Sequence, residues 1–202
     1  MTCSAVRVLQ RSGLMTLFVS LFSPAESHKH VPNGTLARGR AELNLPMVLN
    51  TTLPLYLYYT CEKIIGIDEC SGSGCINETY TCEHMRMKNL TSTTYNFTVS
   101  KRDNLTIWEN TSYTAEFANK APPIEMMFNT TTSSGEVYGV DMKLTFNAPD
   151  TYNCSVFTVT NVYGDQKLVM TQHSMYIRGP LPINTTPEVY CEVDFFTHCY
   201  NT

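Results

Sequence analysis

Through the middle of the chain, Tyr, Phe, Val and Thr alternate with polar residues, and the alternating runs are separated by clusters of Asn, Gly, Pro and Ser. A period of two sends successive side chains to opposite faces, which is the pattern of a half-buried β-strand; helical periodicity is nearly absent there. The pattern predicts strands over 55–60, 80–88, 94–101, 105–117, 124–130, 137–146, 154–160 and 167–176. These eight runs fit a closed antiparallel barrel, an arrangement that leaves no unpaired sheet edge to aggregate.

Two segments depart from this pattern. Residues 35–43 read as a short helix before the first strand, and residues 187–199 as another after the last, with Pro187 at an early position and Val189, Val193 and Phe196 at helical spacing. The stretch 61–75 is the least strand-like, and its Gly and Ser residues predict a surface loop that a disulfide can pin.

Asn-x-Ser/Thr occurs at Asn33, Asn50, Asn77, Asn89, Asn96, Asn104, Asn110, Asn129, Asn153 and Asn184, ten of the fifteen asparagines. About three are expected by chance, so the density predicts a glycosylated, secreted protein. A glycan-bearing Asn points to solvent and its strand neighbours point inward. Asn96 outward turns Tyr95, Phe97 and Val99 inward, and Asn104 and Asn110 outward turn Leu105, Ile107, Glu109, Tyr113, Ala115 and Phe117 inward. Over 141–146, Asp141 and Lys143 alternate with Met142, Leu144 and Phe146, which adds three more apolar side chains to an aromatic interior. A barrel of eight strands is just wide enough for one small ligand, although packed side chains also fill such a space.

The N-terminus reads as a secretion signal over 1–27: Arg7 and Arg11 precede a short apolar run, and small residues follow at a cleavage site near Ala25 and Ser27. A single domain over 28–202 is then expected, with no membrane span, since no later run approaches about 18 apolar residues. Net charge is −4 with no basic run longer than Lys101-Arg102, which argues against a nucleic-acid partner. Of eight cysteines, Cys3 leaves with the signal; the remaining seven predict disulfides plus one odd thiol, which is free or links two chains, a monomer being expected otherwise. No cofactor, zinc knuckle or catalytic motif is legible. His28 and His30 read as a solvated tail, and Asp68 and Glu69 as loop residues, so an enzyme is not expected.

Tyr80-Thr81-Cys82, Asn153-Cys154-Ser155-Val156, Leu168, Cys191 and Cys199 together resemble tick salivary lipocalins of the histamine-binding family. The resemblance covers roughly residues 53 to 200 and implies a disulfide-stapled lipocalin-type barrel. It also implies pairing of Cys154 with Cys191 and of Cys82 with Cys199, which leaves one further pair among Cys61, Cys70 and Cys75. Amine-capturing members are similar to one another in a Cys-Asp-aliphatic motif on the seventh strand and Glu-Leu-Trp on the eighth. Here the same places read Cys154-Ser155-Val156 and Lys167-Leu168-Val169, so both acids and the tryptophan are missing. The family's orientation turns Cys154 outward and Ser155 inward, which makes Asn153 the doubtful sequon.

A barrel of this kind is expected to sequester a small host mediator of inflammation, with an acidic lipid such as a leukotriene favoured over histamine or serotonin. Lys167 then pairs with the ligand's carboxylate, and Tyr95, Phe97, Phe146 and Val169 surround its tail, with Tyr113 and Ser155 among the lining residues. For Lys167 the plainer reading is a turn residue pointing into water. Glu109 is the one acid placed to restore amine binding, unless it is a rim or surface glutamate. A surface-acting inhibitor of a host protein in complement, clotting or cytokine signalling is the alternative, because one fold supports many functions.

Overall fold

The computed structural model describes residues 42–64, 76–78, 83–103, 107–163, 168–179 and 189–200. In chain order the elements are α1 (Leu45–Leu49), β1 (Leu55–Ile64), β2 (Ile76–Glu78), β3 (His84–Leu90), β4 (Thr94–Asp103), β5 (Ile107–Phe117), β6 (Glu125–Thr131), β7 (Val137–Asn147), β8 (Cys154–Tyr163), β9 (Leu168–Arg178) and α2 (Val189–Tyr200). β3 to β9 pair in sequence order, and β1 closes the ring by pairing with both β3 and β9. The result is the expected closed eight-stranded antiparallel barrel, with the three-residue β2 added outside the ring along β1.

Each predicted strand overlaps an observed one, and residues 80–82, 105, 106 and 167 of the predicted runs lie outside the described residues. β1 runs four residues further than expected, through Ile64, because it pairs continuously with β9 from Tyr59 to Ile64. Of the helix expected over 35–43, residues 35–41 lie outside the described residues and residues 42 and 43 are not helical; a helix forms at 45–49. Asn44 sets its start: the side-chain Oδ1 accepts the Met47 N–H at 3.2 Å, and Pro46 is tolerated in the first turn, where its missing donor costs nothing. Leu45, Val48 and Leu49 are fully buried and close one end of the barrel. Removing each from water stabilises the fold by about 2 kcal/mol.

Alternation places Leu55, Met85, Tyr95, Phe97, Ala115, Met126, Met142, Leu144 and Phe157 in one interior cluster. A second cluster lies between the outer wall and α2 and contains Cys61, Ala148, Cys154, Val156, Met175, Cys191 and Phe195. The two clusters meet where β-bulges reset the alternation. A bulge between Leu57 and Tyr59 turns Tyr59 outward, where its ring stacks on Phe195 at 5.7 Å. Another between Leu144 and Phe146 does the same to Phe146, which joins the cluster under α2. A bulge inserts one unpaired residue and flips every side chain beyond it. Phe146 is therefore not an interior residue, contrary to the simple alternation.

Two disulfides hold α2 against the wall. Cys154 pairs with Cys191, as the resemblance implied. Cys199 pairs with Cys61, not with Cys82. Cys61 faces outward beside His173 of β9, on the wall that α2 crosses, and its Cα lies 6.2 Å from that of Cys199, within disulfide reach. With Cys61 used in this way, the expected bridge among Cys61, Cys70 and Cys75 loses one candidate; Cys70, Cys75 and Cys82 lie outside the described residues. The bridges also set the rotation of α2: Cys191, Phe195 and Cys199 face the barrel, whereas Val189 and Val193 are exposed.

Candidate functional site

The barrel interior is divided by chemistry. Across β4, β5 and β6 it is aromatic: Tyr95 stacks on Phe97 at 4.9 Å, and Phe97, Tyr113 and Phe128 contact one another with ring centroids 5.0 to 5.5 Å apart. Rings in tilted and edge-to-face contact add to their area burial. Tyr95 and Phe97 are 1% exposed, and burial pushes the Tyr95 hydroxyl well above the usual phenol range. Above them Tyr113 and Thr130 share a hydrogen bond at 3.1 Å, and Tyr138 stacks on Tyr163 at 4.5 Å.

Across β8, β9 and β1 polar residues share the inward face with Leu55, Leu57 and Phe157. Ser155, Ser174 and Thr60 are buried, and Gln172 donates to Ser174 Oγ at 3.0 Å. Ser155 faces inward as expected, since its neighbours Cys154 and Val156 both pack under α2. Asn153, by contrast, is exposed. It precedes β8 in an irregular turn where strand alternation does not apply, so the doubt about this sequon does not carry over to the structure.

Successive register partners connect these positions into one inward row around the barrel. Asn147 faces Ser155, Ser155 faces Tyr176, and Tyr176 faces Leu57. The Leu57 N–H donates to the Glu83 carbonyl at 2.9 Å, Glu83 stands in register beyond the His84 and Ser100 pair and so beside Lys101, and Lys101 faces Glu109. Every member except Leu57 is polar. Among the row's charged groups, Lys101 Nζ and Glu109 Oε2 form an ion pair of 3.2 Å at the rim opposite α1, with both side chains about half exposed. The hydrogen bond that Lys101 donates to Glu109 holds the ammonium above the usual lysine range.

Glu83 is an acid that the motif comparison does not single out. Burial raises its carboxyl above the usual glutamate range, with Lys101 opposing the shift. The same carboxyl helps to hold the Tyr176 hydroxyl above the usual phenol range, though burial is the larger cause. A signal for Glu83 was present: Glu83, Met85 and Met87 share one parity, and Met85 is a core residue. Lys101 was equally legible, two positions beyond Val99 on the face that carries Tyr95 and Phe97.

Of the residues singled out from sequence, the structure places Tyr95, Phe97, Tyr113 and Ser155 in the interior, leaves Glu109 half exposed at the rim, and turns Phe146 onto the wall under α2. Val169 pairs in register with Val162, and Lys167 lies outside the described residues. Among the described residues no group of three His, Cys, Asp or Glu side chains is placed to hold a metal ion.

No protein-family model matches the chain. No curated protein matches it in sequence. Among solved structures it is similar to a bovine odorant-binding protein deswapped triple mutant, with a TM-score of 0.40 at 13% identity, over 73% of this chain and 83% of that one. It is also similar to a complex of bovine odorant-binding protein with undecanal, with a TM-score of 0.35 at 14% identity, over 80% and 86% of the two chains. At these identities the likeness concerns the barrel fold alone.

Proposed function

We propose that this chain is a secreted carrier whose barrel sequesters a small molecule with an apolar or aromatic body and a cationic end, in the class of amine mediators of inflammation. The observation that carries this reading is Glu83, an acid half-sunk in an aromatic barrel with its pKa raised by burial. A buried carboxylate gains most from a cation brought beside it. Lys101 is the nearby cation, but Glu109 already holds it at 3.2 Å, so two carboxyl groups share one ammonium. An amine completes that balance, whereas a ligand carboxylate adds a third negative charge.

The preference is therefore the reverse of the one drawn from Lys167. Glu83, rather than Glu109, stands in for the acids missing from the motifs on β8 and β9. Two disulfides support an oxidising, extracellular setting.

The test is displacement of the fluorescent reporter N-phenyl-1-naphthylamine from the deglycosylated protein by histamine, serotonin and leukotriene B4. Serotonin or histamine should displace the reporter, and Glu83→Gln should weaken that displacement by about tenfold or more. Displacement by leukotriene B4 but by neither amine would overturn the reading in favour of the acidic lipid.

A further inference from the structure

Asn147 and Ser155 are each 1% exposed and face one another in register on β7 and β8, yet Asn147 Oδ1 and Ser155 Oγ have no hydrogen-bond partner. Both point into the barrel. Phe146 and Ala148 on either side of Asn147 pack under α2, as do Cys154 and Val156 on either side of Ser155, so the alternation sends the two polar side chains to the other face. Ser155 is the register partner of Tyr176, a member of the interior cluster. A buried polar atom left unpaired is costly, and two adjacent ones at one interior spot mark a place that expects an occupant.

The chemistry of the occupant is set by the atoms. An amide oxygen can only accept, and a serine hydroxyl can accept or donate. Whatever fits between them must therefore donate, and a ligand carboxylate, ether or ketone cannot satisfy Asn147 Oδ1. No charged side chain lies in this part of the row: Tyr176 and Leu57 separate it from Glu83, a distance of three strand spacings of about 4.8 Å along the wall.

We infer that Asn147 and Ser155 form a second, uncharged subsite of the barrel, which binds a hydroxyl or N–H group carried on the ligand away from its charged end. This inference rests on the barrel being a ligand site, and it adds a requirement to that site: the ligand bears a neutral donor as well as a cation. A buried water bridging the same two oxygens is the competing occupant.

A matched pair of neutral probes separates these cases. 2-Naphthol and 2-methoxynaphthalene share one aromatic body and differ in the donor. Both are titrated against the naphthylamine reporter in the wild type, in Ser155→Ala and in Asn147→Leu, with reporter uptake confirming that each variant is folded. The expected result is that 2-naphthol binds about fivefold or more tightly than its ether in the wild type, with the preference lost in either variant. Equal affinities, a preference that survives both substitutions, or reporter uptake without displacement by 2-naphthol would each overturn the subsite and leave the barrel reading in place. Failure of the wild type to take up the reporter or either probe would overturn the barrel reading itself.

Discussion

Cys61 on β1 and Cys199 on the last turn of α2 are joined across 138 residues, so that the helix is tied to the strand on which the barrel closes. Replacing both with serine should lower stability by about 4 kcal/mol, read as a shift of the urea midpoint under non-oxidising and non-reducing conditions. Cys82→Ser should leave the bridge intact. A non-reducing peptide map that linked Cys199 to Cys82 would contradict the assignment.

Arg178 ends β9 and closes α1. Its Nη2 donates to the Met47 and Val48 carbonyls at 3.0 and 2.8 Å, and its guanidinium lies 5.8 Å from the centre of the Tyr152 ring. Those carbonyls are among the last acceptors of a helix too short to satisfy them itself. Arg178→Met keeps the apolar stem and removes the donors. It should cost about 2 kcal/mol and lower the melting temperature by about 4–8 °C. An unchanged melting temperature would mean that water replaces the guanidinium.

On the outer wall, Asp141 of β7 lies beside Glu125 of β6, and burial followed by the neighbouring Glu125 carboxyl pushes its pKa up to about 6, with Lys143 opposing. A carboxyl whose folded pKa is raised binds its proton more tightly in the folded state. Its penalty is therefore absent at low pH and grows as pH rises from the ordinary carboxylate range through about 6. Asp141→Asn should stabilise the protein by about 1 kcal/mol near neutral pH, after allowance for solvent screening, and by nothing below about pH 4. Equal stabilisation at both pH values, measured by urea unfolding, would rule out titration as the cause.

Amine binding should share the sign of Glu83. Protonation removes the carboxylate that attracts the cation, and because burial raises this pKa, affinity should begin to fall above the ordinary glutamate range as the solution is acidified. Lys101, Glu109 and Tyr176 are the other titratable groups of that row. In Glu83→Gln the residual affinity should not change with pH over the same window. Isothermal titration at a series of pH values decides this, and an equally steep decline in the variant would assign the titration to another group.

Asn89, Asn96, Asn110 and Asn129 place four sequons on the adjacent strands β3 to β6, and Asn89 and Asn96 are direct register partners. Thr114 Oγ1 donates to Asn96 Oδ1 at 2.7 Å and Ser100 Oγ to Asn110 Oδ1 at 2.6 Å, which leaves each amide nitrogen to carry a sugar. Thr91→Ala, Thr98→Ala, Ser112→Ala and Thr131→Ala should each remove one N-linked chain from the secreted protein, read as intact mass. A variant with no loss of mass would show its site to be unoccupied.

Local pattern carried much of the architecture. Alternation located all eight barrel strands, because each has one face in the core and one in water, and the separation of Tyr95, Phe97 and Tyr113 from Asn96 and Asn110 stems from that difference alone. The C-terminal helix and the Cys154 to Cys191 bridge were also legible, the bridge through family resemblance. Glu83 was within reach of the same alternation, since it shares the parity of Met85.

Tertiary structure decided the rest. A bulge inserts a single residue and leaves no mark in the hydrophobic pattern, yet it turns Tyr59 and Phe146 from the interior to the helix-covered wall. The partner of Cys199 depends on which strand lies under α2, a matter of barrel closure between β1 and β9, residues more than a hundred positions apart. The polar row from Asn147 to Glu109 exists only after seven strands are aligned in register, because no two of its neighbouring members are closer than eight positions in the chain. By itself the sequence determined which residues can face a core; the registers and bulges determined which of them meet, because side-chain alternation is local and strand pairing is not.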